Sequence, residues 1–277
     1  MPSKTVLLLS FIIPFTIVSD IAADKMIAFY EEINCKKVNI GGSERFDCPD
    51  FANLPSNKCY FQGREFDVNH SIEGDFPRCW GKSCACRQRN ETAAYIDCAF
   101  LQDGCAEEWA IERDWSCVQA YKLNQCCRSD EICGRAIQEL STCVVDGKLY
   151  HSGERIKPKD DCYECICGDG YNNETSLAEN EHCVATKCGF GVNLQMLRDE
   201  CVPIFYPDRC CTIYNYKCPA KTDSIGIRSA FATNENHTCS FGALSLKIGD
   251  TLKTEESCLI CRCSTPPFLT CIRWGEC

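Results

Sequence analysis

Residues 143–218 read CVVDGKLYHSGERIKPKDDCYECICGDGYNNETSLAENEHCVATKCGFGVNLQMLRDECVPIFYPDRCCTIYNYKC. This stretch contains ten cysteines, with a C-x-x-C-x-C cluster at Cys162–Cys167 and an adjacent pair at Cys210–Cys211. The order of these cysteines recurs in the segments before and after it. The stretch therefore serves as the reference for the rest of the chain.

Besides the reference stretch, one segment of the chain has the complete ten-cysteine order and another has part of it. Repeat one (59–133) has ten cysteines with the adjacent pair in the same ordinal place, although its central cluster, CWGKSCAC, has two extra residues. Repeat two is the reference stretch, 143–218. Repeat three (239–277) matches the first six cysteines. The first two cysteines lie 20, 19 and 19 positions apart in the three repeats, and such agreement indicates an internal repeat.

The cysteines are, in repeat one, Cys59, Cys79, Cys84, Cys86, Cys98, Cys105, Cys117, Cys126, Cys127 and Cys133; in repeat two, Cys143, Cys162, Cys165, Cys167, Cys183, Cys188, Cys201, Cys210, Cys211 and Cys218; and in repeat three, Cys239, Cys258, Cys261, Cys263, Cys271 and Cys277. With Cys35 and Cys48 they make 28 in a chain of 277 residues. About a tenth cysteine is typical of a secreted disulfide scaffold, and the even number allows every thiol to pair.

The segments outside the repeats are a leader and two linkers. Because every repeat has an even number of cysteines, we predict that Cys35 and Cys48 of the leader (24–58) pair, and we interpret the leader as a small looped appendage. The linker 134–142 is short. The linker 219–238 lacks cysteine and is rich in Ala, Ser, Thr and Asn, so we expect it to be the more flexible joint.

The N-terminus has the pattern of a signal peptide, residues 1–23. Lys4 is followed by the apolar run 6–18, and small residues suggest cleavage after Ser19 or Ala23. The run is shorter than the roughly 20 residues of a spanning helix, although an uncleaved anchor is the alternative. We therefore expect a soluble, secreted, extracellular protein whose thiols are oxidised. Export also makes four Asn-X-Ser/Thr triplets candidate glycosylation sites: Asn69, Asn90, Asn173 and Asn236.

The predicted fold class is small, disulfide-rich and mostly β, with tandem modules of short antiparallel strands and irregular disulfide-stapled loops. A repeat of about 75 residues buries little apolar surface, so disulfides are expected to replace the hydrophobic core. Spacing alone does not choose among the pairings. Repeat three, with at most three bridges, is expected to be the least stable unit.

Short alternating runs predict a β-hairpin between the first two cysteines of each repeat. In repeats two and three we place its turn at Ser152-Gly153 and Ile248-Gly249. In repeat one the same place holds Asn69-His70, and asparagine tolerates the left-handed conformation of such a turn. An irregular loop is the alternative.

The ten-cysteine order, with C-x-x-C-x-C in the middle and C-C-x-n-C at the end, resembles the von Willebrand factor type C module, also called the chordin-like cysteine-rich repeat. Repeat two matches fully, repeat one departs at CWGKSCAC, and repeat three matches the front part. The resemblance implies a front subdomain of short antiparallel strands and a looser, disulfide-rich back subdomain. It also implies binding of bone morphogenetic proteins or other TGF-β-type ligands. By position, the contact would involve 51–58 and the first hairpin of repeat one.

No residue pattern indicates catalysis or a cofactor. The C-x-x-C pairs could suggest zinc or redox chemistry, but in an oxidising compartment disulfides are the stronger interpretation. The histidines and acidic pairs lie in polar stretches without ligand or catalytic spacing, so we predict no enzymatic activity, metal or cofactor. A net charge of −10 disfavours nucleic acid.

Surface aromatics are the better indication of function. We predict that Tyr60, Phe61 and Phe66 contribute to partner binding, whereas packing against disulfides is the alternative, favoured for most aromatics and for Trp80 in particular. The expected function is to bind bone morphogenetic proteins or other TGF-β-type growth factors and to regulate their signalling. A structural or adhesive matrix component and a secreted immune or venom-type factor are the alternatives. The partner is an extracellular protein, growth factor or matrix component.

Overall fold

A computed structural model describes residues 15–40, 43–74, 76–77, 79–91, 93–100, 105, 116–160, 162–212, 215–228 and 238–275. The fold is mostly β and rich in disulfides, as predicted, and short antiparallel sheets dominate it. Among the described residues, no helix has both the length and the apolar character that a membrane crossing requires. Residues 1–14 of the predicted signal peptide lie outside the described residues.

The α-helices in the part of the chain that the structure describes are α1 (Phe15–Glu32) and α2 (Leu194–Arg198). The strands before repeat two are β1 (Lys36–Ile40), β2 (Ser43–Asp47), β3 (Cys59–Phe61), β4 (Arg64–Phe66), β5 (Ser71–Glu73), β6 (Trp80–Asn90), β7 (Ala93–Phe100), β8 (Val118–Ala120) and β9 (Asp130–Ile132). Those that follow are β10 (Thr142–Val145), β11 (Lys148–His151), β12 (Arg155–Ile156), β13 (Tyr163–Ile166), β14 (Cys183–Ala185), β15 (Val202–Phe205), β16 (Tyr216–Lys217), β17 (Ser224–Ile225), β18 (Thr238–Phe241), β19 (Leu244–Lys247), β20 (Thr251–Lys253), β21 (Leu259–Arg262) and β22 (Thr270–Arg273).

The two complete repeats have the same disulfide order: first to fourth, second to eighth, third to fifth, sixth to ninth and seventh to tenth. In repeat one the bridges are Cys59–Cys86, Cys79–Cys126, Cys84–Cys98, Cys105–Cys127 and Cys117–Cys133. In repeat two they are Cys143–Cys167, Cys162–Cys210, Cys165–Cys183, Cys188–Cys211 and Cys201–Cys218. Repeat three contains Cys239–Cys263 and Cys261–Cys271, and Cys258 is also disulfide-bonded. The leader contains the predicted Cys35–Cys48 bridge.

Each repeat starts with a two-stranded hairpin, but its turn lies elsewhere than predicted. The hairpins are β3–β4, β10–β11 and β18–β19. In repeat two the turn is Asp146-Gly147, where both residues have positive φ (51° and 78°), the conformation that matches the twist of the flanking strands.

The predicted turn at Ser152-Gly153 is instead a corner between two sheets, because β11 pairs with β10 and β12 pairs with β13. The corresponding corner lies at Ile248-Gly249 in repeat three and at Asn69-His70 in repeat one. The prediction of left-handed backbone is confirmed at Asn69, where φ is 70°. The hairpin itself is present, but the predicted position of its turn was wrong since alternation continues through the corner and does not reveal a change of sheet.

The leader is not an appendage, because its helix occupies the largest core. Met26, Phe29 and Tyr30 of α1 and Ile33, which directly follows it, are almost completely buried. They pack with Phe190, Leu197 and Phe205 of repeat two and Ile272 of repeat three. Phe29 meets Phe190 edge to face at 5.2 Å, and Tyr30 stacks on Phe46 at 4.2 Å. The helix therefore joins the leader to two repeats.

Polar groups of α1 fix the helix in that core. Lys25 donates to the carbonyls of Tyr206 and Arg209 at 2.5 and 2.8 Å. The Tyr30 hydroxyl donates to Thr265 at 2.5 Å and accepts from the Phe268 amide at 3.0 Å.

At the other end of α1, Glu32 accepts from the amides of Cys188 and Phe190 at 2.5 and 2.9 Å. Burial raises the pKa of the Glu32 carboxyl, against the opposing effect of these amide hydrogen bonds. The contacts specify both the position and the rotation of the helix.

Repeat three is completed by a strand of repeat two. The strand β15, buried along its whole length, pairs in parallel with β22. The six-stranded sheet has the order β16-β15-β22-β21-β20-β17. The back half of repeat two is thus part of a continuous sheet and is not a loose subdomain.

The linker 219–238 is also more ordered at its start than expected. Its strand β17 pairs with β20. Lys217 and Asp223 form a salt bridge of 3.1 Å in which the two side chains are 5% and 2% exposed. The description of this part as a flexible joint is therefore wrong, whereas residues 229–237 lie outside the described residues.

We predict that Phe29→Ala lowers the free energy of unfolding by about 3–5 kcal/mol, because it leaves a cavity in the shared aromatic core. Urea unfolding with the disulfides intact measures this change. Glu31→Ala, at an exposed position of the same helix, is the control and is expected to change it by less than about 0.5 kcal/mol. Equal effects of the two substitutions would contradict the assignment of α1 to the core.

We predict that Gly153→Ala destabilises the protein more than Gly147→Ala. Both glycines have positive φ (93° and 78°), so each alanine has backbone strain of about 1–2 kcal/mol. A Cβ at Gly153 would also lie 2.6 Å from the Ala120 Cβ, whereas Gly147 has nothing within 4 Å of it. Similar midpoints of urea unfolding for the two variants would show that repeats one and two are not in contact at this corner.

Candidate interaction surface

The end of the leader and the first hairpin of repeat one form a continuous surface. We call it the leader–hairpin surface; it surrounds a crevice of about 30 Å³ and comprises Leu54, Pro55, Lys58, Tyr60, Tyr95, Ile96, Leu194 and Arg198. These residues come from the leader, β3, β7 and α2. Repeat two thus contributes one wall, through α2, to a surface otherwise built by the leader and repeat one.

Backbone and core contacts hold the leader against this surface. The Ser56 carbonyl accepts from the Ala94 amide of β7 at 2.7 Å. Phe51, which begins a short 3₁₀ helix (Phe51–Asn53), is buried in the α1 core near Phe268. The segment 51–58 is therefore anchored at both ends, and Phe51 itself faces inward.

The three predicted binding aromatics lie in different environments. Tyr60 and Phe66 are half-buried, whereas Phe61 is 4% exposed and stacks on Phe76 at 4.5 Å. Alternation along β3 turns Phe61 inward and Tyr60 outward. The prediction that Phe61 presents its ring to a partner is thus incompatible with its position. Trp80 is buried in the same core, which is the role favoured for it.

A charged cluster fixes the Tyr60 hydroxyl. Tyr60 donates to Glu65 at 3.2 Å, and Lys58 forms salt bridges with Glu65 and with Asp67, the latter at 3.2 Å. The hydrogen bond from Lys58 lowers the pKa of Glu65, and those that Lys58 donates to Glu65 and Asp67 raise the pKa of the lysine. Burial and the bond to Glu65 raise the pKa of Tyr60.

The same hairpin position has different chemistry in each repeat. Tyr60 faces Glu65 in repeat one, and Val144 faces Leu149 in repeat two. Val144 and Leu149 are 54% and 53% exposed. In repeat three the corresponding pair is two serines, Ser240 and Ser245.

Sequence reasoning missed Tyr95, Ile96, Leu194 and Arg198. Tyr95 and Ile96 lie between the fourth and fifth cysteines of repeat one, in the hairpin β6–β7. Leu194 and Arg198 lie more than 90 positions further along the chain. The short apolar run 93–96 was the available signal for the first two; no local signal identifies the others.

The described glycosylation candidates lie on the surface. Asn69, Asn90 and Asn173 are exposed, and Asn236 lies outside the described residues. The side-chain amide of Asn173 donates to the Val144 carbonyl. This glycosylation candidate therefore lies beside the exposed hairpin of repeat two. Glycosylation itself stays a prediction.

The sulfur chemistry is that of disulfides. The sulfurs of Cys188, Cys210 and Cys211 lie within 4.8 Å of one another, but each is in a disulfide and offers no thiolate for a metal. The cysteines of the two C-x-x-C pairs are also oxidised. Cys162 is bonded to Cys210, Cys165 to Cys183 and Cys261 to Cys271, and Cys258 is also in a disulfide. Of the histidines, His182 contacts the Asp169 carbonyl at 3.0 Å, and His237 lies outside the described residues.

The fold and surface define a small disulfide-rich, mostly β protein built from repeats. Comparison with family models, with curated proteins and with solved structures finds no match to the chain.

We predict that Glu65→Gln lowers the pKa of Tyr60 toward its ordinary value of about 10. The substitution removes the negative charge that disfavours the tyrosinate, while the contribution of burial remains. Titration followed by NMR of labelled tyrosine measures the shift. Glu73→Gln, on the neighbouring strand β5, is the control. An unchanged Tyr60 pKa in the Glu65 variant would contradict the described hydrogen bond.

Proposed function

We propose that this is a secreted extracellular protein-binding modulator that binds bone morphogenetic protein or other TGF-β-type growth factors and regulates their signalling. The contact is the leader–hairpin surface of repeat one. The protein acts as a binder and not as an enzyme, and it uses no cofactor.

The resemblance of the ten-cysteine order to the von Willebrand factor type C module supports this proposal. The resemblance implies that the segment before the first cysteine and the front subdomain bind the ligand. The observation that carries the proposal is that these two parts form one continuous surface. The shared disulfide order of repeats one and two supports treating them as two copies of one module.

The chemistry of the surface suits a protein partner. Tyr60 and Tyr95 are half-buried, and aromatic side chains in such positions contribute much of the binding energy at protein interfaces. The crevice, about 30 Å³, is far smaller than the roughly 300 Å³ of a small-molecule site. It is suited to the tip of an apolar side chain from a protein.

Secretion follows from the signal-peptide pattern and from the disulfides. Cleavage after either Ser19 or Ala23 leaves Lys25 and every described core residue of α1 in the mature protein. The mature N-terminus is then the start of the central helix.

We predict that Tyr60→Ala weakens binding to a TGF-β-type growth factor by at least about tenfold, which is the loss of about 1.4 kcal/mol. Surface plasmon resonance with the secreted protein against a panel of such factors measures it. Val144→Ala, at the matching position of repeat two, is the control and retains affinity.

Absence of binding to every member of the panel would exclude the proposed function. Binding that depends on Val144 and not on Tyr60 would move the contact to repeat two. Detergent-resistant incorporation into extracellular matrix without growth-factor binding would favour the structural alternative.

A further inference from the structure

A second surface lies between repeats one and two. It is an open groove of about 890 Å³. One wall belongs to repeat one and includes Trp80 and Arg128; the other belongs to repeat two and includes Ile156 and Tyr163. The groove shares no lining residue with the leader–hairpin surface, so its function is independent of the function proposed above.

The groove is basic although the chain has a net charge of −10. Its lining residues include four cations, Arg128, Arg155, Lys157 and Lys187, and a single carboxylate, Glu164. Arg128 forms a salt bridge with Glu131 at 3.2 Å and Arg155 with Glu164 at 3.3 Å, so the excess of positive charge over these two pairs comes from the two lysines. Apolar and aromatic side chains lie between the cations. A surface of this charge in an acidic protein favours a negatively charged ligand.

Arg155 is held rigidly at the centre of the groove. Its guanidinium donates to the carbonyls of Gln125 and Cys126 at 3.0 and 2.7 Å and lies 3.7 Å from the Tyr121 ring centroid. It also pairs with Glu164 at 3.3 Å. The contacts with Gln125, Cys126 and Tyr121 join repeat two to repeat one at the groove.

An edge strand runs along one wall. The strand β14 pairs on one side with β13. Thr186 donates to Cys162, and Ile166 donates to His182. Because hydrogen-bonding direction alternates along an antiparallel strand, the N–H and C=O of Ala185 point away from β13. Among the described residues these groups have no hydrogen-bond partner, and Ala185 lines the groove.

We propose that the groove binds an extended, acidic polypeptide segment of a partner protein by strand addition to β14. The backbone of the segment pairs with the Ala185 edge, and its carboxylates face Lys157 and Lys187. Pairing to an exposed sheet edge gives affinity through main-chain hydrogen bonds, while alternate side chains give specificity. The occupant is an acidic peptide and not a small molecule because both an open strand edge and several separated cations line the groove.

Fluorescence anisotropy with the full secreted chain tests this proposal. The probe is a labelled peptide of about eight residues that alternates valine and glutamate, a length typical of one strand. The same peptide with lysine in place of glutamate tests charge. A version N-methylated at alternate residues tests strand pairing, because it keeps the charge and removes the backbone donors. We expect only the first peptide to bind.

Substitution of one groove cation locates the site. Lys157→Glu is expected to weaken binding of the acidic peptide about tenfold, since it replaces an attraction by a repulsion. Lys159→Glu is the matched control, because this substitution makes the same charge change two residues away. The Lys159 side chain is 86% exposed and pairs with Asp146 outside the groove. We expect it to retain binding.

Three results would overturn the proposal. One is absence of binding by the acidic peptide at about 1 mM, a concentration at which even weak association is detected. Another is equal binding of the lysine or N-methylated peptides. The third is equal loss of affinity in the Lys157 and Lys159 variants. A heparin oligosaccharide that binds with sensitivity to Lys157, when the acidic peptide does not bind, would assign the groove to an anionic polysaccharide instead.

Discussion

Of the described disulfides, a single bridge in each complete repeat joins its front half (first to fifth cysteine) to its back half (sixth to tenth): Cys79–Cys126 and Cys162–Cys210. The bridges close loops of 47 and 48 positions, for which chain entropy predicts about 4 kcal/mol of stabilisation each. The back halves contribute to the contacts between repeats, as between Tyr121 and Gly153, Arg155 and Cys126, and β15 and β22. In repeat two the bridge sets the position of β15, and β15 in turn completes the sheet of repeat three.

Disulfides do not replace the hydrophobic core; they are part of it. Cys188 and Cys210 lie in the α1 core with Phe29 and Phe205, and Cys261 and Cys271 lie in the core of repeat three. Each repeat alone is too small to bury enough apolar surface. The chain solves this by sharing cores between repeats, with α1 as the common element. The buried polar contacts of Lys25 and Glu32 then restrict α1 to one orientation, since each would otherwise leave a buried charge without a partner.

The two candidate binding surfaces lie where separate parts of the chain meet. The leader–hairpin surface combines the leader, repeat one and α2 of repeat two, and the groove lies between repeats one and two. Their chemistry differs: one presents half-buried tyrosines beside a charged cluster, and the other presents cations along a strand edge. The two surfaces share no lining residue, so the two proposed partners would not compete for the same side chains.

The cysteine spacing by itself determined the repeats, the disulfide-rich β class and the leader bridge, because these properties depend on residue type and local order. The sequence also predicted left-handed backbone at Asn69, since turn chemistry is local, but it did not distinguish the outward Tyr60 from the inward Phe61. It could not choose the disulfide order, place Phe61 in a core or assign α1 to the centre of the molecule. The position of α1 depends on contacts between residues more than 150 positions apart, such as Glu32 with Cys188, which only the tertiary structure decides. The disulfide order and the burial of Phe61 depend on pairing in space over shorter separations, such as Cys162 with Cys210 and Phe61 with Phe76, which local sequence order does not specify. The groove has the same origin, because its two walls come from different repeats.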